Sequence, residues 1–157
     1  MKKFFAAALI LIAAAAYGAN SVSTIIQGVV PEMLTITTDM TPTTSVDVFN
    51  SSSTLLGYIN VFSNRAGKWT VTITSTNAGS MKGVTPGNAD SYPYTMKFGT
   101  LSNISLTTPY VMEMSGKTTT DGSAYSLTVE FQNYWNLRTP VSPDTYRDTI
   151  TVTIAAA

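Results

Sequence analysis

The chain has 157 residues, nine of them basic and nine acidic, with no histidine and no cysteine. A chain of this length holds one domain with a single core, and so even a charge balance argues against nucleic acid as a partner. Without His or Cys, the Ser-His and Cys-His pairings of nucleophilic catalysis are unavailable, so no enzymatic role is expected, and stability cannot come from disulfides.

Lys2 and Lys3 precede an apolar run from Phe4 to Ala16, and Ala16-Tyr17-Gly18 puts small residues where signal peptidase reads. This is the order of a secretory signal peptide, so residues 1–18 are expected to leave and the mature chain to begin at Ala19. The apolar run is too short and too rich in alanine for a membrane span, which takes roughly 20 strongly apolar residues; an uncleaved anchor is the alternative. Loss of both lysines leaves seven basic against nine acidic residues, a net charge of about −2. Thr and Ser make up about a quarter of the chain, and Thr with Val, Ile, Tyr and Phe is a strand composition.

The stretch from Ala19 to Thr38 is apolar and β-prone at what would be a raw N-terminus. Chain ends fray unless something ties them down, so this segment needs a partner. In one register Val22, Thr24, Ile26, Gly28 and Val30 share a face; alternation leaves the other, with Ile25 and Val29, open. Pro31 offers no ladder donor and turns Val30 away from helix, so Glu32 to Thr38, with Leu34 and Ile36, begins the domain body. The same alternation would serve the ordinary first strand of a self-complete sandwich, bent at Pro31.

Ser45–Phe49 reads as a short strand after Pro42, and Leu55–Ser75 as a hairpin. In that hairpin Ile59 and Val61 share a face, Asn64–Gly67 turns, and Trp69, Val71 and Ile73 point inward with threonines opposite. Asn77–Ala89 is rich in Gly, Asn and Pro and reads as a loop. Tyr92, Tyr94, Met96 and Phe98 then alternate, with Pro93 placing that end at a sheet edge or strand start. Tyr110–Ser115 is a further short strand. After the Asp121-Gly122 turn, Tyr125, Leu127, Val129 and Phe131 alternate, and the last strand puts Tyr146, Ile150, Val152 and Ile154 on one face before three alanines. Strands at these intervals with no helical stretch predict an all-β fold, an immunoglobulin-like β-sandwich, with a small barrel as second choice.

Tyr134, Trp135 and Arg138 lie in the one segment whose aromatics next to Asn and Arg suit a recognition loop; covering the end of the core is the alternative. Asp148 interrupts the apolar face of the last strand, as a hydrogen bond at a sheet end would require. Asp90 and Asp121 sit in turns, where turn chemistry accounts for them, and no metal or cofactor is expected.

Three stretches together resemble a family: Gly-Val-Val-Pro-Glu-Met-Leu-Thr-Ile at 28–36, Val-Phe-Ser-Asn-Arg-Ala-Gly-Lys-Trp-Thr-Val-Thr-Ile at 61–73, and Pro-Asp-Thr-Tyr-Arg-Asp-Thr-Ile-Thr-Val-Thr-Ile at 143–154. They are similar to chaperone–usher fimbrial subunits (pilins), above all the archaic, spore-coat-U-like branch. The chain departs from many members in lacking an early disulfide and in ending on alanines. The resemblance implies an incomplete sandwich whose missing last strand leaves an apolar groove, filled by the N-terminal extension of a neighbouring copy. Here that makes residues 19–30 a donor strand (Val22, Thr24, Ile26, Gly28, Val30) and gives an acceptor groove flanked by Leu34, Ile36, Ile150, Val152 and Ile154. It further implies a head-to-tail surface filament used in cell adhesion, with a periplasmic chaperone and an outer-membrane usher as partners in transit. The rival reading is a monomeric secreted or surface sandwich that binds glycan or protein, and a third is a coat-type structural protein.

Overall fold

The computed structural model describes residues 23–137 and 139–157. The expected signal peptide, Val22 and Arg138 lie outside the described residues. The chain divides into two units between Val30 and Pro31. Of the first, residues 23–30 take no regular secondary structure, and Ile25, Ile26, Val29 and Val30 are exposed at 92%, 94%, 83% and 83%.

The second unit is built of ten strands: β1 (Leu34–Thr38), β2 (Ser53–Ser63), β3 (Lys68–Ser75), β4 (Ser80–Gly83), β5 (Ser91–Phe98), β6 (Leu101–Ile104), β7 (Tyr110–Ser115), β8 (Ser123–Phe131), β9 (Tyr146–Arg147) and β10 (Ile150–Ala156). Seven of them form a curled sheet in the order β1-β2-β8-β5-β4-β9, with β6 added on β5, and three form a second sheet, β10-β3-β7. Every pairing is antiparallel. This is an all-β, sandwich-like arrangement of two sheets, consistent with an immunoglobulin-like fold.

Period-two alternation makes the core. One face of each long strand buries large residues: Ile59 and Val61 from β2, Trp69, Val71 and Ile73 from β3, Tyr92, Tyr94, Met96 and Phe98 from β5, and Leu127, Val129 and Phe131 from β8. Their neighbours in sequence, mostly Thr and Ser, turn outward. Trp69 buries its ring and donates its indole N–H to the Gly116 carbonyl at 3.0 Å, which satisfies the polar end that burial would otherwise strand.

Four local expectations need correction. β2 and β3 do not form a hairpin: β2 pairs β1 and β8, and β3 pairs β10 and β7. The Asn64–Gly67 turn carries the chain from one sheet to the other, and strands facing each other across a core show the same alternation as strands paired within a sheet. Ser45–Phe49 is not a strand, because Asp47 accepts hydrogen bonds from the backbone of Phe49 (3.0 Å) and Asn50 (3.1 Å) and folds the segment into a turn. The Asn77–Ala89 loop contains β4, which buries Met81. The last strand is broken: β9 belongs to the curled sheet, β10 to the three-stranded one, and the crossing falls at Asp148-Thr149.

Asp148 holds that crossing together. Its carboxylate accepts from the Ser75 hydroxyl on β3 and the Tyr94 hydroxyl on β5, both at 2.5 Å, and from the backbone N–H of Asn77 at 3.0 Å and Thr149 at 2.7 Å. One side chain therefore links both sheets where the chain switches between them, and it gives the buried Tyr94 ring an acceptor for its O–H.

Candidate functional site

β1 pairs only with β2, and β10 only with β3; among the described residues neither has a strand on its second edge. Unpaired edges leave a row of N–H and C=O groups open to another strand. β1 ends where the Asp39 carboxylate accepts the Tyr58 N–H at 2.5 Å and the Thr38 hydroxyl donates to the Tyr58 carbonyl at 2.8 Å. The bulge that permits this sits at Gly57, with φ +148°, where a Cβ would fall 2.7 Å from the Asp39 carboxylate.

The side chains at these two edges point inward yet are incompletely covered. Residues directly opposite in an antiparallel pair share a face. Ile36 lies opposite Val61 and Leu34 opposite Ser63, both of which are fully buried, but Ile36 itself is 36% exposed and Leu34 half-buried. On the other side Val152 lies opposite Ile73 and Ile154 opposite Val71, again buried partners, while Ile150, Val152 and Ile154 remain half-buried. All five groove residues named from the sequence thus sit on inward faces, at the two edges that bound the opening.

The opening deepens beyond the strands. A cavity of about 930 Å³ lies between the segment from Met40 to Phe49 and the segment from Val141 to Ile150, with Ile150 common to groove and cavity. Its wall includes half-buried Val46 and Val48 on one side, and it reaches the core side chains Tyr92, Tyr94, Met81 and Val129. A cavity that opens beside buried apolar side chains offers room for another apolar segment.

The rim is pinned by carboxylates. Asp144 accepts from Thr85 N–H (3.0 Å), the Thr85 hydroxyl (2.9 Å) and the Asn88 amide (2.7 Å). The Asn88 amide first, helped by the Thr85 and Thr145 donors and opposed by burial, which outweighs any one of those donors, holds its pKa at about 2. Asp90 accepts the Ser142 N–H at 2.8 Å, and Ser142, through its side chain first and then this N–H, lowers the Asp90 pKa. Burial first, then the hydrogen bond to Asp148, raises the Tyr94 phenol well above its ordinary value. Sequence reasoning missed Asp144 and the cavity wall from Met40 to Val48, because neither carries a periodic signal.

Of the proposed donor residues, Thr24, Ile26, Gly28 and Val30 are described and exposed, and none is in a strand. Tyr134 and Trp135 lie on a 3-10 turn, Tyr134–Asn136, capped by the Asn133 side chain. Tyr134 is half-buried and stacks obliquely on Phe49 with ring centroids 4.7 Å apart, while Trp135 is 75% exposed with its ring 5.8 Å from Phe49. Among the described residues no three acidic side chains gather as metal ligands would. No known family model matches the chain, and no curated protein matches its sequence.

Proposed function

We propose that this protein is a structural subunit of a bacterial surface filament, assembled by inserting the apolar segment before Pro31 of one copy into the groove between β1 and β10 of the next. The observation that carries this reading is the pair of open edges whose inward aliphatic side chains are half-covered opposite fully buried neighbours. The resemblance to chaperone–usher pilins supplies the export route, with a periplasmic chaperone and usher, and the role in adhesion. Burying three aliphatic side chains in the groove contributes about 5–9 kcal/mol gross, against which association and ordering of the segment must be set. The added strand also satisfies two rows of backbone groups. Because donor and groove are different surfaces, each joint leaves both a free donor and a free groove, and assembly runs head to tail without closing.

The test is the mass of the chain from residue 19 onward, compared with the same chain lacking residues 19–30. A ladder of oligomers that the deletion abolishes is expected. A soluble, cooperatively folded monomer, merely destabilised by the deletion, contradicts the proposal. The exposed rings of Phe49 and Trp135 favour a second reading, a surface sandwich that binds glycan or protein through them; Trp135→Ala abolishing binding of a glycan array ligand without changing oligomer mass would support it.

A further inference from the structure

Trp135 stands where the fold does not require it. Its ring is 75% exposed, so it covers little of the core, and replacing it would change stability only slightly. Phe49, on the neighbouring loop, is 47% exposed. Covering the end of the core falls to Tyr134, which is half-buried and tilted on Phe49. Trp135 meets both of these rings edge-on, with centroids 5.8 Å from Phe49 and 5.4 Å from Tyr134.

The two loops are tied to each other by hydrogen bonds. The Tyr134 N–H donates to the Val48 carbonyl at 2.8 Å, and the Asn133 side-chain amide donates to the Phe49 carbonyl at 2.5 Å. The Asn133 side-chain oxygen also accepts the Trp135 N–H at 3.1 Å, while the Asp47 carboxylate holds the backbone of Phe49 and Asn50 in its turn. Folding therefore orders the backbone on which both exposed rings stand, and a ligand meets a preorganised surface.

Size and charge select the ligand. A stable protein interface buries about 800 Å² on each side, whereas an aromatic side chain offers about 150–250 Å², and these two are partly covered already. The surface suits one or two small rings. Asn50 and Asn136 directly follow the two aromatics in sequence and are exposed; each amide donates and accepts, as a sugar hydroxyl does. A pyranose also presents C–H groups, which suit the negative face of an aromatic ring. Among residues 45–50 and 132–137 the one charged side chain is Asp47, which repels an anionic ligand.

We propose that Phe49 and Trp135, flanked by Asn50 and Asn136, form a binding site for a neutral saccharide. The inference rests on the second reading above, which it narrows to one ligand class and one pair of rings, and it holds whether or not copies assemble. The chain carries its own control: Trp69 is buried with its indole N–H bonded to the Gly116 carbonyl, and Trp135 is exposed. Acrylamide quenching of tryptophan fluorescence is followed on adding lactose, cellobiose or chitobiose, then sialyllactose, then phosphatidylcholine vesicles.

The expected result is that at least one neutral disaccharide shields the parent from quenching at about mM concentration, and that the Trp135→Ala protein, which keeps only Trp69, shows no change. Calorimetry should find binding weakened about tenfold or more in Trp135→Ala and Phe49→Ala, with the urea midpoint and oligomer mass of Trp135→Ala as in the parent. If Phe49→Ala does not fold, Trp135→Ala alone decides. A saccharide that binds Trp135→Ala as tightly as the parent overturns the site and leaves a glycan-binding sandwich standing. Preference for sialyllactose over lactose overturns the neutral class, and shielding by vesicles without shielding by any saccharide gives the rings to a lipid surface instead. No shielding and no calorimetric signal with any probe overturns the site and the glycan reading together.

Discussion

β5 and β10 carry the same pattern of large apolar residues at alternate positions, but they end in different surroundings. β5 has β8 on one edge and the short strands β4 and β6 on the other, and Tyr92, Tyr94, Met96 and Phe98 are all buried. Among the described residues β10 has only β3 beside it, and Ile150, Val152 and Ile154 stay half-covered although Ile73 and Val71, opposite Val152 and Ile154, are buried. Burial is thus set by the second neighbour and not by residue type. The closed region holds the buried core, and the open one leaves a strand edge unpaired among the described residues.

The comparison breaks most sharply on substitution. Phe98→Ala, deep in the closed region and stacked on Tyr125 at 4.8 Å between centroids, is expected to cost about 3–5 kcal/mol in a urea titration of the chain lacking residues 19–30. Asp148→Ala removes the acceptor shared by Ser75, Tyr94 and Asn77, and leaves a buried hydroxyl unpaired, at about 2–3 kcal/mol. Val152→Ala at the open edge is expected to cost only about 1 kcal/mol in that monomer, yet to weaken binding of the 19–30 peptide measured by calorimetry. Equal losses from Phe98→Ala and Val152→Ala would erase the distinction between the two regions.

Acid and base act on the rim. A carboxyl held at about 2, as in Asp144, binds its proton less readily folded than unfolded, so its contribution is present above about pH 4 and is lost as pH falls toward 2. Asp47 and Asp90 are lowered too, and act in the same direction. Tyr94 is raised, so its contribution is complete below about pH 10 and is lost as pH rises beyond it. Urea midpoints should therefore stay level from about pH 5 to 8, where the chain has no histidine to titrate, and fall on either side. The smallest effect is expected at the exposed Lys68–Glu113 pair on the outside of the three-stranded sheet: Glu113→Gln should leave the midpoint unchanged.

The closed region was the more legible in the sequence. Trp69-Thr-Val-Thr-Ile and Leu127-Thr-Val-Glu-Phe alternate over enough residues for their inward faces to be read directly, and those residues are buried. Pairing was not legible, which is why β2 and β3 looked like a hairpin: alternation reports that a strand has one buried face, and is silent about which strand lies beside it. Short elements escaped for want of length, as β4 did inside a Gly- and Asn-rich loop. Asp47 ended an apparent strand through a local side-chain turn that composition disguises. At the site, alternation gives the shared face of Ile150, Val152 and Ile154, whereas grouping them with Leu34 and Ile36 around a groove rests on the resemblance to pilins. The cavity beyond Ile150 could not, because it arises from the separation of Met40–Phe49 and Val141–Ile150, which no single segment encodes.

The central claim, that the opening between β1 and β10 is a strand-binding groove, is tested most directly by adding the 19–30 peptide to the chain lacking those residues and following hydrogen exchange in β1 and β10. The account predicts new amide protection confined to those two strands, together with a rise in the thermal midpoint. Protection elsewhere, or none while the peptide is in large excess, would contradict it.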